Sequence, residues 1–307
     1  QTMLPNPVSQ GSCSLVANED RAAIVCRVQV GKDGAISDIQ FSEAMIQSRA
    51  KLSYHDVNAD LHGDMDLGQT CLKDLYAASL ALRQYRSEHH IVMPEQADFH
   101  FQLNEQRRIE SITKIERNDA HRLVEECMLA ANRSAALWLA DSPALYVSHA
   151  GLREDRYDNV RAVIAKEIPN LADCQFESLS GYKTLIQACE HSESALPLRS
   201  IFARMLQPGE LSVEAKPHFG LGLECYTTFT SPLRKYSDLL VQRCIRAKLN
   251  NTTPTLPNEA ELAALQDAIR NGRQASKQME QWLQYQYLAR NTTDTVYEAR
   301  IAHVNGG

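Results

Sequence analysis

Apolar positions alternate with period two near the start of the chain and again around residue 100, and then recur at helical spacing through most of the remainder. "IVCRVQV", the turn "GKDG" and the return "AISDIQF" predict a β-hairpin. A second hairpin is expected from "FHFQL" to "IESITKIE" around "NEQRR". Between them, Cys71, Leu75, Ala78, Leu82 and Tyr85 follow steps of four and three, a helix whose stripe reads as core. From Asp119 a longer helix is expected to bury Val124, Cys127, Met128, Ala131, Ala135 and Trp138, with Asn118 or Asp119 as its cap. "ALYVSH" reads as a short strand before further helices. Residues 258–290 read as one long helix feeding a closing strand, "DTVYEARIAHV". The class is α+β, without internal repeat and without a clear linker before about residue 290.

Composition narrows the classes. With 307 residues, 44% of them apolar, the chain can bury a full core as one large domain or two smaller ones. No apolar run approaches the ~20 residues of a membrane span and no leader pattern opens the chain, so a cytoplasmic location without membrane association is expected. Eight scattered cysteines lack metal-type pairing and fit buried thiols in a reducing compartment. Net charge −6 argues against blanket polyanion binding and leaves room for a local basic channel. The opening "QTMLPNP" and the ending "ARIAHVNGG" fit a piece of a larger polypeptide.

One stretch concentrates candidate chemistry: "HFGLGLECYTTFTSPLRKYSDLLVQRCIRAKL", His218 to Leu249. Thr230 or Ser231 suits an N-cap and Pro232 a first turn, so a helix is expected from there to about Leu249. A helix start with the Arg234 fork and the Lys235 charge suits phosphate. Gly220 and Gly222 would let backbone approach a ligand, with Phe219, Tyr226, Phe229 and Tyr236 packing or stacking nearby. The plainer alternative is a polar helix end on which Arg234 pairs with Asp238. "YHDVNADLHGDMD" supplies His55, Asp56, Asp60, His62, Asp64 and Asp66, the right chemical types for a cation, but reads as an acidic solvated loop. His89, His90, His149 and the Arg107–Arg108 pair carry weaker signals. No P-loop or dinucleotide fingerprint occurs.

The same stretch resembles the signature of the RNase II and RNase R exoribonucleases, the RNB family, and looks closer to RNase II. "CSLVANEDRAAIVCRVQVGKDGAISDIQF" with "SRAKLSYHDV", and "HRLVEECMLAAN", resemble two further family stretches in the same order. The resemblance implies the RNB-domain fold over residues 1–290 and, from residue 291 to 307, the first strand of an S1 OB-type barrel. It also implies a monomeric hydrolase that takes nucleoside 5′-monophosphates from the 3′ end of single-stranded RNA with magnesium. Arg234 matches the arginine at the scissile phosphate, where a fixed cation stabilises charge growing on phosphoryl oxygens. Tyr54 and Glu125 match residues that contact the last riboses, and a carboxylate can accept from the 2′-hydroxyl that DNA lacks. Lys235 and Tyr236 complete the expected RNA contacts. Without the resemblance, Tyr54 reads as a packed tyrosine and Glu125 as a solvated helix charge.

Several positions depart from the family pattern. Its metal-binding aspartates are expected upstream of Gln1, so no metal ligand is expected within the chain and the chain alone is expected to be inactive. Two cold-shock-type domains are expected upstream as well. Met93 stands where an aromatic clamp is usual, and Gln242 where a histidine is usual. Ser276 replaces an activating glutamate, for which Glu280 one turn on could substitute. An inactive RNA-binding or regulatory relative is the alternative reading.

Overall fold

The computed structural model describes residues 3–95 and 98–291. The expected S1 strand therefore lies outside the described residues. In chain order the elements are β1 (Asp20–Val30), β2 (Ile36–Gln47), α1 (Tyr54–His62), α2 (Cys71–His89), β3 (Asp98–Leu103), β4 (Ile109–Ile115) and α3 (Asp119–Trp138). There follow β5 (Tyr146–Ser148), α4 (Tyr157–Glu167), α5 (Leu179–Glu190), α6 (Leu198–Arg204), β6 (Glu210–Ser212), α7 (Tyr236–Leu249) and α8 (Glu259–Asn291). Each described sheet is an antiparallel pair: β1 with β2, β3 with β4, β5 with β6.

The chain divides into two compact units, residues 1–94 with 117–262, and residues 95–116 with 263–307. In the larger unit the first hairpin closes at Gly31–Ala35, where Gly34 sits at φ +80 and the Asp33 carboxylate accepts the Ala35 N–H at 3.1 Å. A side chain at residue 34 would strike the Ala81 carbonyl of α2, so this turn needs glycine. The hairpin packs on α3 and α7 through Phe41, whose ring lies 4.9 Å from Trp138 and 5.7 Å from Phe229. The Lys248 ammonium lies 4.5 Å from the Trp138 ring centroid, a cation over an aromatic face. A second cluster, with Val160, Ile164, Tyr182, Leu185 and Phe202 at its centre, forms under α4, α5 and α6.

Two helical faces differ from expectation. On α2 the buried residues are Leu72, Ser79 and Leu82, while Cys71 and Leu75 are exposed. On α3 the buried set includes Leu123, Glu126, Ala130 and Asn132; of the expected residues only Ala135 is fully buried, and Val124 is exposed. One ion pair accounts for both shifts. Arg86 of α2 meets the buried Glu126 of α3 at 2.5 and 3.1 Å, which turns the Leu72–Leu82–Arg86 face inward. Counting apolar residues alone cannot see a helix face that is anchored by a charge pair. The thiols also depart from expectation: all eight are free, but only Cys244 is fully buried, and Cys13 and Cys71 are exposed.

The smaller unit sets hairpin β3–β4 beside α8. Arg290 donates to the Ile109 carbonyl at 3.3 Å, and Ile109 is the one fully buried side chain among this unit's described residues. Met279, Trp282, Tyr285 and Leu288 are exposed along α8.

Candidate functional site

The site is built on α3. Asn118 caps the helix by accepting the His121 N–H at 3.2 Å, and His121 returns a ring nitrogen to the Asn118 N–H, a reciprocal capping box. The same cap holds the start of α1. The Asn118 amide donates to the Tyr54 carbonyl at 3.2 Å, and the Asn58 side chain accepts the Asp119 N–H at 3.1 Å. Ser53 caps α1 itself by accepting the Asp56 N–H. Tyr54 therefore projects from the first turn of α1 with its ring stacked on His121, centroids 4.0 Å apart and planes 17° apart, while 47% of the residue stays exposed. Burial, reinforced by the Arg117 and Arg122 charges, lowers the His121 pKa, so a neutral imidazole backs the ring. One turn beyond His121 lies Glu125, half-buried and paired with Arg117. The structure thus brings Tyr54 and Glu125 together on one shelf, with His121 between them.

Asn132, two turns beyond Glu125, reaches the segment that precedes Arg234. Its carbonyl oxygen accepts the Phe229 N–H at 3.1 Å, and its amide donates to the Tyr226 hydroxyl at 3.2 Å. From α7, Gln242 donates to the Phe229 carbonyl at 3.0 Å. The segment before Arg234 is therefore fastened to two helices through side chains. The expected helix start at Thr230 or Ser231 is not observed, because α7 begins at Tyr236. A turn at Pro232–Arg234 intervenes, in which the Ser231 carbonyl accepts the N–H groups of Arg234 and Lys235 at 3.2 and 3.0 Å. The cause is Asp238 in the first turn of α7, fully buried, which draws in the Ser231 N–H at 2.9 Å and the Thr228 hydroxyl at 2.7 Å. These bonds hold residues 228–231 beside the helix start instead of within it.

Arg234 rides on that turn, exposed, with the Ser231 hydroxyl at 3.5 Å and no carboxylate partner among the described residues. The anticipated pairing of Asp238 with Arg234 is replaced by Lys235, whose ammonium lies 2.9 Å from Asp238 and 3.0 Å from the Thr228 hydroxyl. Tyr236 is 56% exposed, whereas Phe219, Tyr226 and Phe229 are buried.

The two glycines serve packing. Gly220 lies against His149, whose Nδ1 accepts its N–H at 3.1 Å and would sit 2.7 Å from any Cβ. Gly222 adopts φ +68 against Ile91. His218 likewise accepts the Leu221 N–H through Nδ1 at 3.2 Å. Burial lowers the pKa values of His149 and His218, the latter to about 4, so both imidazoles are neutral and suited to accept. Met93 packs partly buried against the α4–α6 core. Ser276 and Glu280 line a groove of the smaller unit with Phe99, Phe101 and Met279. The acidic stretch is not the expected solvated loop: its residues 54–62 form α1, in which Asp60 is buried and accepts the Leu67 N–H, while Asp66 accepts the Gly68 N–H and His62 meets Asp119 at 3.2 Å. Among the described residues no three His, Cys, Asp or Glu side chains gather as metal ligands. The divalent ion that the resemblance implies thus has no fitting ligand set among them. No helix among these residues is long and apolar enough to cross a membrane.

His121 is the site-building residue that spacing did not single out, and Asp238 entered only as a partner for Arg234.

Comparison with known proteins gives this geometry a family. The model of the RNB domain matches residues 1–251. Exoribonuclease 2 of Cronobacter sakazakii is 34% identical over 319 residues, covering 99% of this chain and 49% of that protein. Exoribonuclease 2 of Klebsiella pneumoniae is 33% identical over 318 residues with the same coverage. The chain therefore spans about half the length of these relatives. Among solved structures, the apo form of Mycoplasma genitalium RNase R matches with TM-score 0.81 at 21% identity, over 94% of this chain and 48% of that one. With its fold shared and residues 1–251 matched, the chain belongs to the RNB-domain family.

Proposed function

We propose that the full-length protein is a hydrolytic 3′-to-5′ exoribonuclease of RNase II type acting on single-stranded RNA, and that this chain supplies most of its RNB domain, with an S1 domain following. The observation that carries the reading is Arg234: an exposed guanidinium without a carboxylate partner, on a turn fastened by Asn132, Gln242 and Asp238. A cation held on a stiff support stabilises charge developing on a phosphoryl oxygen without reorganising at the moment of reaction. Its fork can bond two phosphate oxygens at once. Tyr54 and Glu125 supply the second half. An exposed ring backed by His121 can stack beneath a terminal nucleotide, and the adjacent carboxylate can accept from a 2′-hydroxyl. To do so Glu125 must share its oxygens between ribose and Arg117. Tyr236 adds a further exposed ring beside Arg234.

Relatives named exoribonuclease 2 support the reaction class, and a solved complex of Mycoplasma genitalium RNase R with ribose-methylated single-stranded RNA supports the substrate class. For the full-length protein we propose magnesium as the ion and the cytoplasm as the location. The test is Arg234→Ala in the full-length protein, assayed on 5′-labelled single-stranded RNA with magnesium. Loss of the shortening ladder with RNA binding retained supports the reading, and a normal ladder overturns the role of Arg234. A wild-type protein that binds RNA and yields no ladder would favour a binding relative.

A further inference from the structure

We infer that Asp238 and Lys235 form a positioning pair that aims Arg234, and that the Lys235 ammonium acts from inside the turn instead of contacting RNA. The inference rests on the role of Arg234 proposed above. Asp238 has no exposed surface, yet it is no isolated charge. Its oxygens receive the Thr228 hydroxyl at 2.7 Å, the Ser231 N–H at 2.9 Å, the Lys235 ammonium at 2.9 Å and the Ser237 hydroxyl at 3.3 Å. A buried carboxylate persists only when such donors surround it. Two of these donors lie just before the Pro232–Arg234 turn and the other two just after it, so a single carboxylate clamps both ends of the peptide that carries Arg234. Lys235 closes the clamp by also donating to Thr228 at 3.0 Å. With its ammonium committed to two inward partners, Lys235 has little left for a phosphate, whereas Arg234 next to it is exposed and its fork meets only the Ser231 hydroxyl, at 3.5 Å.

A misplacement of about 1 Å in a group that acts on the reacting atoms can cost on the order of 100-fold in rate. Loosening the clamp should therefore lower kcat and spare binding. Lys235→Met leaves Asp238 its Thr228, Ser231 and Ser237 donors, so the fold should survive. In the full-length protein we expect this variant to lower kcat on single-stranded RNA by about tenfold or more, with the RNA dissociation constant and its salt dependence unchanged. Asp238→Asn, which keeps the shape and one acceptor, should act in the same direction. On an Arg234→Lys background, Lys235→Met should cause little further loss, because the group being aimed has already been altered.

The opposite pattern would overturn the inference: weaker RNA binding with a salt slope reduced by about one and kcat unchanged, as for a lysine bound directly to phosphate. An equal loss of kcat with and without Arg234 altered would also overturn it. If Arg234→Ala itself kept full turnover, the proposed role of Arg234 would fall and the positioning role with it. If Arg234→Ala abolished turnover while both clamp variants kept it, only the positioning inference would fall.

Discussion

Two adjacent glutamates on α3 show how little a letter says about a role. Glu126 is buried against Arg86, and replacing it with alanine strands a guanidinium in the interior, a loss of about 3–5 kcal/mol by urea unfolding. Glu125, one position earlier, is half-buried and pairs with Arg117, so Glu125→Ala should cost less than about 1 kcal/mol. Its effect should appear instead as a reduced preference for RNA over DNA, read as the ratio of kcat/KM on matched oligonucleotides. Equal stability losses in the two variants would contradict the burial that separates them. The doublet "EE" does not reveal which member is inside. That is decided by Arg86 forty residues away, a partner that local pattern does not contain.

At the scale of elements, hairpins and long helices were legible because their signals are local. Alternation with a Gly–Asp turn marks β1–β2, and Asn118 before an apolar period marks α3. The start of α7 was not legible. Thr230, Ser231 and Pro232 carry the local signature of a helix start, and the signature loses because Asp238 and Asn132 claim the backbone donors of Ser231 and Phe229. The shelf of Tyr54 and Glu125 was legible only through resemblance, since His121, which joins them, looks like an ordinary helix residue. Asn118 shows what such a joint is worth. Asn118→Ala should cost about 1 kcal/mol from the lost cap, and it also releases the Tyr54 carbonyl that the amide holds. We expect weaker binding of short RNA 3′ ends than of longer strands, measured by fluorescence anisotropy. A purely local helix defect would lower the melting temperature and leave both affinities alone.

At the scale of the whole molecule, the buried histidines set an acid limit. His90 and His218 are held at about 4, and His149 below its usual value, in each case chiefly by burial. An unfolded chain takes up these protons near pH 6.5, which the native state resists. Their contribution to stability is therefore complete above about pH 6.5, shrinks as the pH falls towards about 4, and changes little below. Melting temperatures between pH 7.5 and 4.5 should follow that decline, and His218→Asn, which retains an acceptor for Leu221, should flatten it. The sparse burial among the described residues of the smaller unit has a different consequence. Each unit holds one of the two tryptophans, Trp138 under Phe41 and Lys248 in the larger, and Trp282, 53% exposed, in the smaller. With Ile109 their one fully buried side chain, the described residues of the smaller unit have little apolar burial to resist local opening. In single-tryptophan variants the emission of Trp282 should therefore be quenched readily by acrylamide and change at a lower urea concentration than that of Trp138, two optical transitions from one chain.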